Sequence, residues 1–144
     1  MELGEIFIAL RALPKVTVAV VHGKALAGGC GLATACDLVV AKAASQFGYP
    51  EIIRGFVPAM VMTMLRRAVG EKVAFDLAAT GRVLDAAEAE RVGLISRVLA
   101  AEGFDAEATK LLSSIAGLSA TALALTKQQF YRLDGAGFAD GVRL

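Results

Sequence analysis

The stretch Gly28-Gly29-Cys30-Gly31 follows a short apolar strand pattern and precedes a helix pattern. Glycines at such a turn let backbone N–H groups point at an incoming oxygen, and the helix dipole favours negative charge at that end. An oxyanion or phosphate site is one interpretation. The other, a tight turn that only glycine can make, is favoured by geometry alone. Neither G-x-G-x-x-G nor a P-loop ending is present, so nucleotide-binding loops fit badly.

Cys30 adds a second chemistry to this stretch. A thiol at a helix N-terminus has a lowered pKa and can be an activated nucleophile, which leaves a Cys30-dependent amidotransferase or hydrolase as a weaker hypothesis. A glutaminase-type elbow needs glycine where Leu32 stands, and the only imidazole base, His22, falls at a strand end. A small buried cysteine is therefore favoured. Cys30, Cys36 and His22 also lack zinc-site spacing, so we expect reduced thiols and no metal.

Alternating strand and helix patterns position the glycine-rich stretch. Runs of β-branched apolar residues predict buried strands, and apolar residues at helical spacing predict helices. Asp85, with Glu88 three residues later, forms a capping box that starts a helix. This order predicts an α/β protein with a small sheet of three or four strands. The predicted strands are 16–21, 38–41, 46–48 and 95–99, and the predicted helices are 2–12, 32–36, 57–68, 71–80, 85–93, 104–116 and 119–133, with a loop over 23–31.

Composition excludes several classes of partner. The 144 residues fit one domain, and their net charge of +1 is scattered, which argues against nucleic acid. Mean hydropathy is high, at +0.61, but no apolar run approaches the roughly 20 residues of a membrane span. The acidic N-terminus lacks a basic leader, so we expect a cytoplasmic protein. The apolar excess predicts either an alanine-rich core or a surface that a partner covers.

Five motifs, in order along the chain, resemble the enoyl-CoA hydratase/isomerase family. They are AGGCGLATACD at 27–37, FGYPE at 47–51, RRAVG at 66–70, TGR at 80–82 and VGLI at 92–95. The resemblance runs over essentially the whole chain. It implies an α/β crotonase-like fold, with 1–144 as a partial domain whose core is about 1–100 and whose C-terminal helical part is about 101–144.

The resemblance also implies roles for particular residues. The Gly28 N–H would be one of two backbone donors to the thioester oxygen of an acyl-CoA as it becomes an enolate. Glu51 would be the carboxylate that moves protons at the acyl chain. Gly29 and Gly31 would border the substrate, and Phe56 is a candidate to line the acyl pocket, with core packing as its alternative. Acyl-CoA is then the substrate, no separate cofactor is expected, and trimers or hexamers are common in the family.

Two departures from the family pattern change the expected chemistry. Gly31 stands where well-studied hydratases have a second glutamate, which argues against water activation by a pair of carboxylates. A single carboxylate, Glu51, is compatible with isomerisation, and some relatives with glycine at this position resemble branched or dienoyl hydratases. The family's N-terminal portion, with its first strands, its CoA-binding motif and the second oxyanion donor, is expected to be absent, as are the last helices. The alternative function is therefore a catalytically impaired fragment or an assembly subunit without activity alone.

Overall fold

The computed structural model describes residues 2–144, which form six short strands and eight α-helices. A 3₁₀ helix, Pro50–Arg54, interrupts the alternation. The strands are β1 (Val18–Val21), β2 (Lys24–Leu26), β3 (Leu38–Lys42), β4 (Gln46–Gly48), β5 (Val83–Asp85) and β6 (Arg97–Leu99). The helices are α1 (Leu3–Ala12), α2 (Gly28–Ala35), α3 (Ala59–Ala68), α4 (Glu71–Thr80), α5 (Ala86–Arg91), α6 (Phe104–Ala116), α7 (Ala120–Arg132) and α8 (Phe138–Arg143).

The strands form two three-stranded sheets, ordered β1-β3-β6 and β2-β4-β5. All pairs are parallel except β4 with β5. Consecutive strands such as β1 and β2 belong to different sheets and are joined by a tight turn. The unit β1-β2-α2 is thus followed by β3-β4 and the 3₁₀ helix. Strand β3 pairs beside β1 in one sheet, and β4 pairs beside β2 in the other.

The core lies between the sheets and helices α1 to α5. Its largest fully buried side chains include Phe47, Tyr49, Leu65, Leu77 and Leu84. Many of its other members are alanines, at positions 25, 33, 35, 41, 74, 78, 86 and 89. Small side chains let the short strands and helices approach closely. The predicted alanine-rich core is therefore present. Large apolar side chains are also exposed, and a partner that covers them stays a prediction.

A buried ionic cluster fastens α7 to the body of the domain. The Lys127 ammonium donates to the Leu10 carbonyl at 2.7 Å, to the Lys15 carbonyl at 2.8 Å and to Asp37 Oδ2 at 2.8 Å. The Tyr131 hydroxyl donates to Asp37 Oδ1 at 2.7 Å. One helical turn separates Lys127 from Tyr131, so both reach Asp37 from the same face of α7.

Most of the predicted elements are confirmed, and the exceptions are short. The predicted loop over 23–31 is wrong, because it contains β2 and the first turns of α2, which begins at Gly28. The sheet prediction is also too small, since β2 and β5 were missed, as was α8. The capping box is confirmed: Asp85 Oδ1 accepts a hydrogen bond from the Glu88 N–H at 2.8 Å.

None of the helices within residues 2–144 is long and apolar enough to cross a membrane by itself. Helices α6 and α7 together pass the test of length and composition, but they meet at a bend of 93°.

Candidate active site

The parallel strands β2 and β4 end at the same edge of their sheet, and the two predicted catalytic residues, Gly28 and Glu51, follow these ends. Leu26 of β2 lies opposite Gly48 of β4, and neighbouring strands are about 4.8 Å apart. The chain leaves β2 into α2 at Gly28, and it leaves β4 into the 3₁₀ helix that carries Glu51. The sheet therefore starts both segments side by side, although 23 positions separate the two residues in sequence.

The turn from β2 into α2 is confined to one residue, Ala27. Its N–H donates to the Gly48 carbonyl at 2.9 Å, and its own carbonyl accepts from the Gly31 N–H at 2.9 Å. With one peptide group held by the sheet and the next by the helix, Ala27 adopts φ 51° and ψ −125°. It is the one non-glycine residue with positive φ in the described chain. Such a conformation costs about 1–3 kcal/mol and is concentrated at functional sites.

Because of this turn, the N-terminus of α2 presents backbone N–H groups without intrahelical acceptors next to the end of β2. The first N–H groups of any α-helix lack an intrahelical acceptor, and in α2 the Gly31 N–H is the first to find one. The N–H groups of Gly28, Gly29 and Cys30 precede it. No acidic side chain occupies the first turn of α2, so the partial positive charge of the dipole is available to an anion.

Glu51 presents a carboxylate oxygen without a partner. Its Oε2 atom is buried, yet it has no hydrogen-bond partner in the described chain. The surrounding backbone is fixed, because the Phe56 N–H donates to the Glu51 carbonyl at 3.0 Å and the turn closes at Gly55 in the left-handed conformation, φ 78°. A buried carboxylate oxygen without a partner is energetically costly. It is the strongest indication of a ligand-binding position in this region.

Three polar side chains, the buried Cys30 and Tyr49 and the half-buried Thr34, form a contiguous group, and the charge of Glu51 acts on the first two. Burial raises the pKa of Cys30 to about 11; contacts with Tyr49 and the Gly48 backbone lower it in part, and the charge of Glu51 adds to the rise. Burial likewise raises the pKa of Tyr49, with smaller contributions from Cys30 and Glu51. The Tyr49 hydroxyl is 3.1 Å from Thr34 Oγ1. Cys30 is therefore a protonated core thiol, which contradicts the hypothesis of a nucleophilic cysteine.

Gly31 faces the protein interior. A Cβ atom at this position would lie 2.5 Å from Val61 Cγ1 and 3.0 Å from the Phe7 ring. Helices α3 and α1 therefore occupy the direction in which a side chain would project. A glutamate at Gly31 does not fit this packing without displacement of both neighbours.

The other two predicted substrate residues are exposed. Gly29 is open, since a Cβ there would meet nothing within 4 Å. Phe56 is 66% exposed, which excludes core packing in this chain, and Ile53 and Val57 beside it are exposed as well. Sequence reasoning missed Ala27 and Tyr49 as parts of the site. The only available signal was their membership of the motifs that contain Gly28 and Glu51.

Solved structures share this architecture. The chain superimposes on a crystal structure of an enoyl-CoA hydratase from Mycobacterium smegmatis with a TM-score of 0.93 and 33% identity, covering 98% of this chain and 55% of that one. The crystal structure of human enoyl-CoA hydratase domain-containing protein 3 superimposes with a TM-score of 0.93 and 30% identity, covering 98% of this chain and 56% of that one. The predicted crotonase-like α/β fold is confirmed.

The chain belongs to the enoyl-CoA hydratase/isomerase family, whose model matches residues 2–133. A Thermus thermophilus relative that carries the name of an enoyl-CoA hydratase is 45% identical over all 144 residues, which span 57% of its own length. Rat enoyl-CoA hydratase domain-containing protein 3 is 40% identical over 129 residues, 43% of its length. The chain therefore spans about half the length of the relatives it matches.

The remaining expectations from sequence stay predictions. These are the division near residue 100, the cytoplasmic location and self-association as trimers or hexamers; the rat relative is named as a mitochondrial protein. Within residues 2–144, no group of three or more His, Cys, Asp and Glu side chains is arranged to hold a metal ion.

Proposed function

We propose that this chain provides part of the active site of an acyl-CoA-processing enzyme that shifts a carbon–carbon double bond. The Gly28 N–H holds the thioester oxygen as negative charge develops on it, and Glu51 takes a proton from one carbon of the acyl chain and returns it to another. The acyl-CoA is the substrate, and the reaction uses no separate cofactor. The observation that carries this proposal is the buried, unpartnered Oε2 of Glu51 beside the open N-terminus of α2.

Electrostatics support the role of Gly28. An enolate oxygen carries negative charge, and preorganised N–H donors in a site shielded from water stabilise such charge strongly. Ala27 directs the donors by tying the start of α2 to β4. Loss of one donor of this kind typically lowers the rate by about 10²–10³.

The packing of Gly31 supports isomerisation over hydration. Hydration by paired carboxylates needs a second acid near Glu51, and Phe7 and Val61 fill the space where residue 31 would carry it. A double-bond shift needs one base that first removes and then returns a proton, which Glu51 alone can do. Gly29, Gly31 and Phe56 complete the proposed substrate surroundings; Gly31 acts there through its small size and Phe56 through its exposed ring.

The experiment compares wild type with Glu51→Gln in two assays, 3-enoyl-CoA isomerisation and crotonyl-CoA hydration. We expect isomerisation to exceed hydration in the wild type. We also expect Glu51→Gln to lower isomerisation by roughly 10²–10⁴, because the amide cannot accept the proton.

Glu102→Gln is the matched control, since Glu102 is an exposed glutamate in a turn remote in sequence from both strand ends. It should retain wild-type turnover. If the wild type turns over substrate and Glu51→Gln gives the same rates, Glu51 has no part in the reaction and the proposed mechanism fails.

A further inference from the structure

Two consecutive residues, Gly48 and Tyr49, contact the two ends of α2. The Gly48 carbonyl accepts a hydrogen bond from the Ala27 N–H at 2.9 Å, directly before the first residue of the helix. The Tyr49 hydroxyl lies 3.1 Å from Thr34 Oγ1, in the last turn. Thr34 follows Ala27 by seven positions, which is about 10 Å along a helix axis. One contact constrains only one end of α2, whereas two contacts this far apart also constrain its tilt.

The Thr34 hydroxyl determines the direction of the hydrogen bond with Tyr49. It donates to the Cys30 carbonyl at 2.8 Å, with the Gly31 carbonyl as a longer acceptor at 3.3 Å. A threonine hydroxyl has one proton and a carbonyl oxygen can only accept, so this proton is used within α2. The Tyr49 hydroxyl is therefore the donor to Thr34 Oγ1. The hydrogen-bond chain runs from Tyr49 through Thr34 to the carbonyl of Cys30, in the first turn of α2.

Packing accounts for the ring of Tyr49 but not for its hydroxyl. The side chain is fully buried, in a core that also contains the apolar side chains of Phe47 and Leu84. A buried hydroxyl is costly unless it is hydrogen-bonded, and phenylalanine would fill nearly the same volume without that cost. The hydroxyl reaches the helix that begins at Gly28, and Tyr49 itself lies two positions before Glu51. It therefore connects the two segments of the candidate active site.

We propose that Tyr49 is a positioning residue of the double-bond shift. Its hydroxyl, acting through Thr34, sets the tilt of α2 and with it the direction of the Gly28 N–H relative to the Glu51 carboxylate. The donor and the base act on different atoms of one acyl group, so an error in their relative placement lowers the rate of the chemical step. This inference rests on the proposed function, because it assigns Tyr49 a part in the reaction proposed for Gly28 and Glu51.

The test measures 3-enoyl-CoA isomerisation by the full 144-residue chain and its variants. Tyr49→Phe removes the hydroxyl and keeps the ring, and we expect kcat to fall about tenfold or more while KM stays within about twofold of the wild-type value. Thr34→Val interrupts the same hydrogen-bond chain and should cause a similar loss. The double variant should be no slower than either single variant, since both changes remove one connection. Thr34→Ser keeps the hydroxyl and should retain wild-type kcat.

Tyr131→Phe is the matched control. Tyr131 is the other tyrosine of the chain, and its hydroxyl donates to Asp37 at 2.7 Å. Its replacement also removes a hydrogen bond that is shielded from water, so the free energy of unfolding should fall by a comparable amount. Because this contact holds α7 and not α2, Tyr131→Phe should keep wild-type kcat. Equal kcat values for the two tyrosine variants would overturn the proposal, since the effect of Tyr49 would then be absent or due to stability alone.

Hydrogen exchange, measured by NMR, gives a readout that does not need turnover. The amides of Ala27 and Gly31 donate to the carbonyls of Gly48 and Ala27 and so report on the start of α2. In Tyr49→Phe they should exchange about 2–10-fold faster than in the wild type, as expected for the loss of one hydrogen bond. In Tyr131→Phe they should keep wild-type rates.

The two readouts separate this proposal from the proposed function. A wild type without turnover would contradict the proposed function, and the exchange rates would then decide on their own whether Tyr49 holds α2 in place. Equal exchange rates of the Ala27 and Gly31 amides in the two tyrosine variants would overturn the positioning role. Faster exchange in Tyr49→Phe alone would support it.

Discussion

Replacement of Lys127 by methionine tests how the C-terminal helices are held to the domain. The Lys127 side chain is 5% exposed, and its three acceptors are the carbonyls of Leu10 and Lys15 and the carboxylate of Asp37, itself 13% exposed. Methionine keeps similar bulk and helix propensity. It removes the charge, and a buried carboxylate then remains without its cation.

The expected loss follows from this geometry. Removal of one member of a buried ion pair costs about 3–5 kcal/mol. Asp37 keeps the Thr17 N–H at 2.7 Å and the Tyr131 hydroxyl at 2.7 Å, which places the value at the lower end, about 3 kcal/mol. Domains of this kind have total stabilities of about 5–15 kcal/mol. Lys127→Met should therefore lose a large fraction of the free energy of unfolding. The loss should appear as a lower midpoint of urea unfolding, measured by circular dichroism.

Gln128→Met provides the matched control, since Gln128 is the next residue of α7 and is exposed. It should leave the free energy of unfolding within about 0.5 kcal/mol of wild type. A loss below about 1 kcal/mol in Lys127→Met would show that the buried cluster does not stabilise the fold, and the reasoning from its geometry would be refuted.

The pH dependence of stability gives an independent check on the same cluster. Burial acts to raise the pKa of Asp37, but the hydrogen bonds from Lys127, Thr17 and Tyr131 outweigh it, and the net pKa is lowered. A carboxylate with a depressed folded pKa contributes stability above its unfolded pKa, about 3.9, and loses it as pH falls through the folded value. Wild type should thus lose stability below about pH 4. The loss should be smaller in Lys127→Met, which lacks the strongest of these contacts.

Three further predictions concern the candidate site. Ala27→Gly should raise the free energy of unfolding by about 0.5–2 kcal/mol, because relief of the strain at φ 51° outweighs the conformational entropy that glycine adds to the unfolded chain; an unchanged or lower thermal midpoint would contradict it. Cys30 should resist iodoacetamide at pH 8 while the partly exposed Cys36 reacts, as read by mass spectrometry, and prior labelling of Cys30 would show that the thiol is accessible. Gly31→Glu should destabilise the fold by about 1–3 kcal/mol through contact with Val61, and wild-type stability in chemical denaturation would count against the packing described.

The elements that the sequence predicted correctly are those with strong local patterns. Helices α4, α6 and α7 have apolar periodicity, and α5 has the Asp85 cap. Strand β3 is a continuous apolar run. Strand β2 has only three residues, Lys24–Leu26, and its partner β4 lies 22 positions further along the chain, at Gln46–Gly48. No local periodicity distinguishes such a strand from a loop, because its stability comes from the remote pairing.

The same limit applies to the candidate site. The motifs were sufficient to select Gly28 and Glu51, but their juxtaposition depends on the parallel pairing of β2 with β4, and β2 itself was not predicted. The conformation of Ala27 was also beyond sequence reasoning, since alanine ordinarily avoids positive φ. Hydrogen bonds to β4 and within α2 impose that conformation. The geometry of the site therefore depends on tertiary contacts, and the local sequence indicates only which residues belong to the motifs.

Gly31 connects the packing of the helices to the chemistry proposed for the site. From the sequence alone, a glycine at position 31 indicates only that a second carboxylate is missing there. The structure adds that Phe7 of α1 and Val61 of α3 close over the position. Restoring a glutamate would therefore require smaller residues on two other helices at the same time. The proposed single-carboxylate site rests on how α1 and α3 pack on α2, and a glutamate introduced at residue 31 alone would not fit that packing.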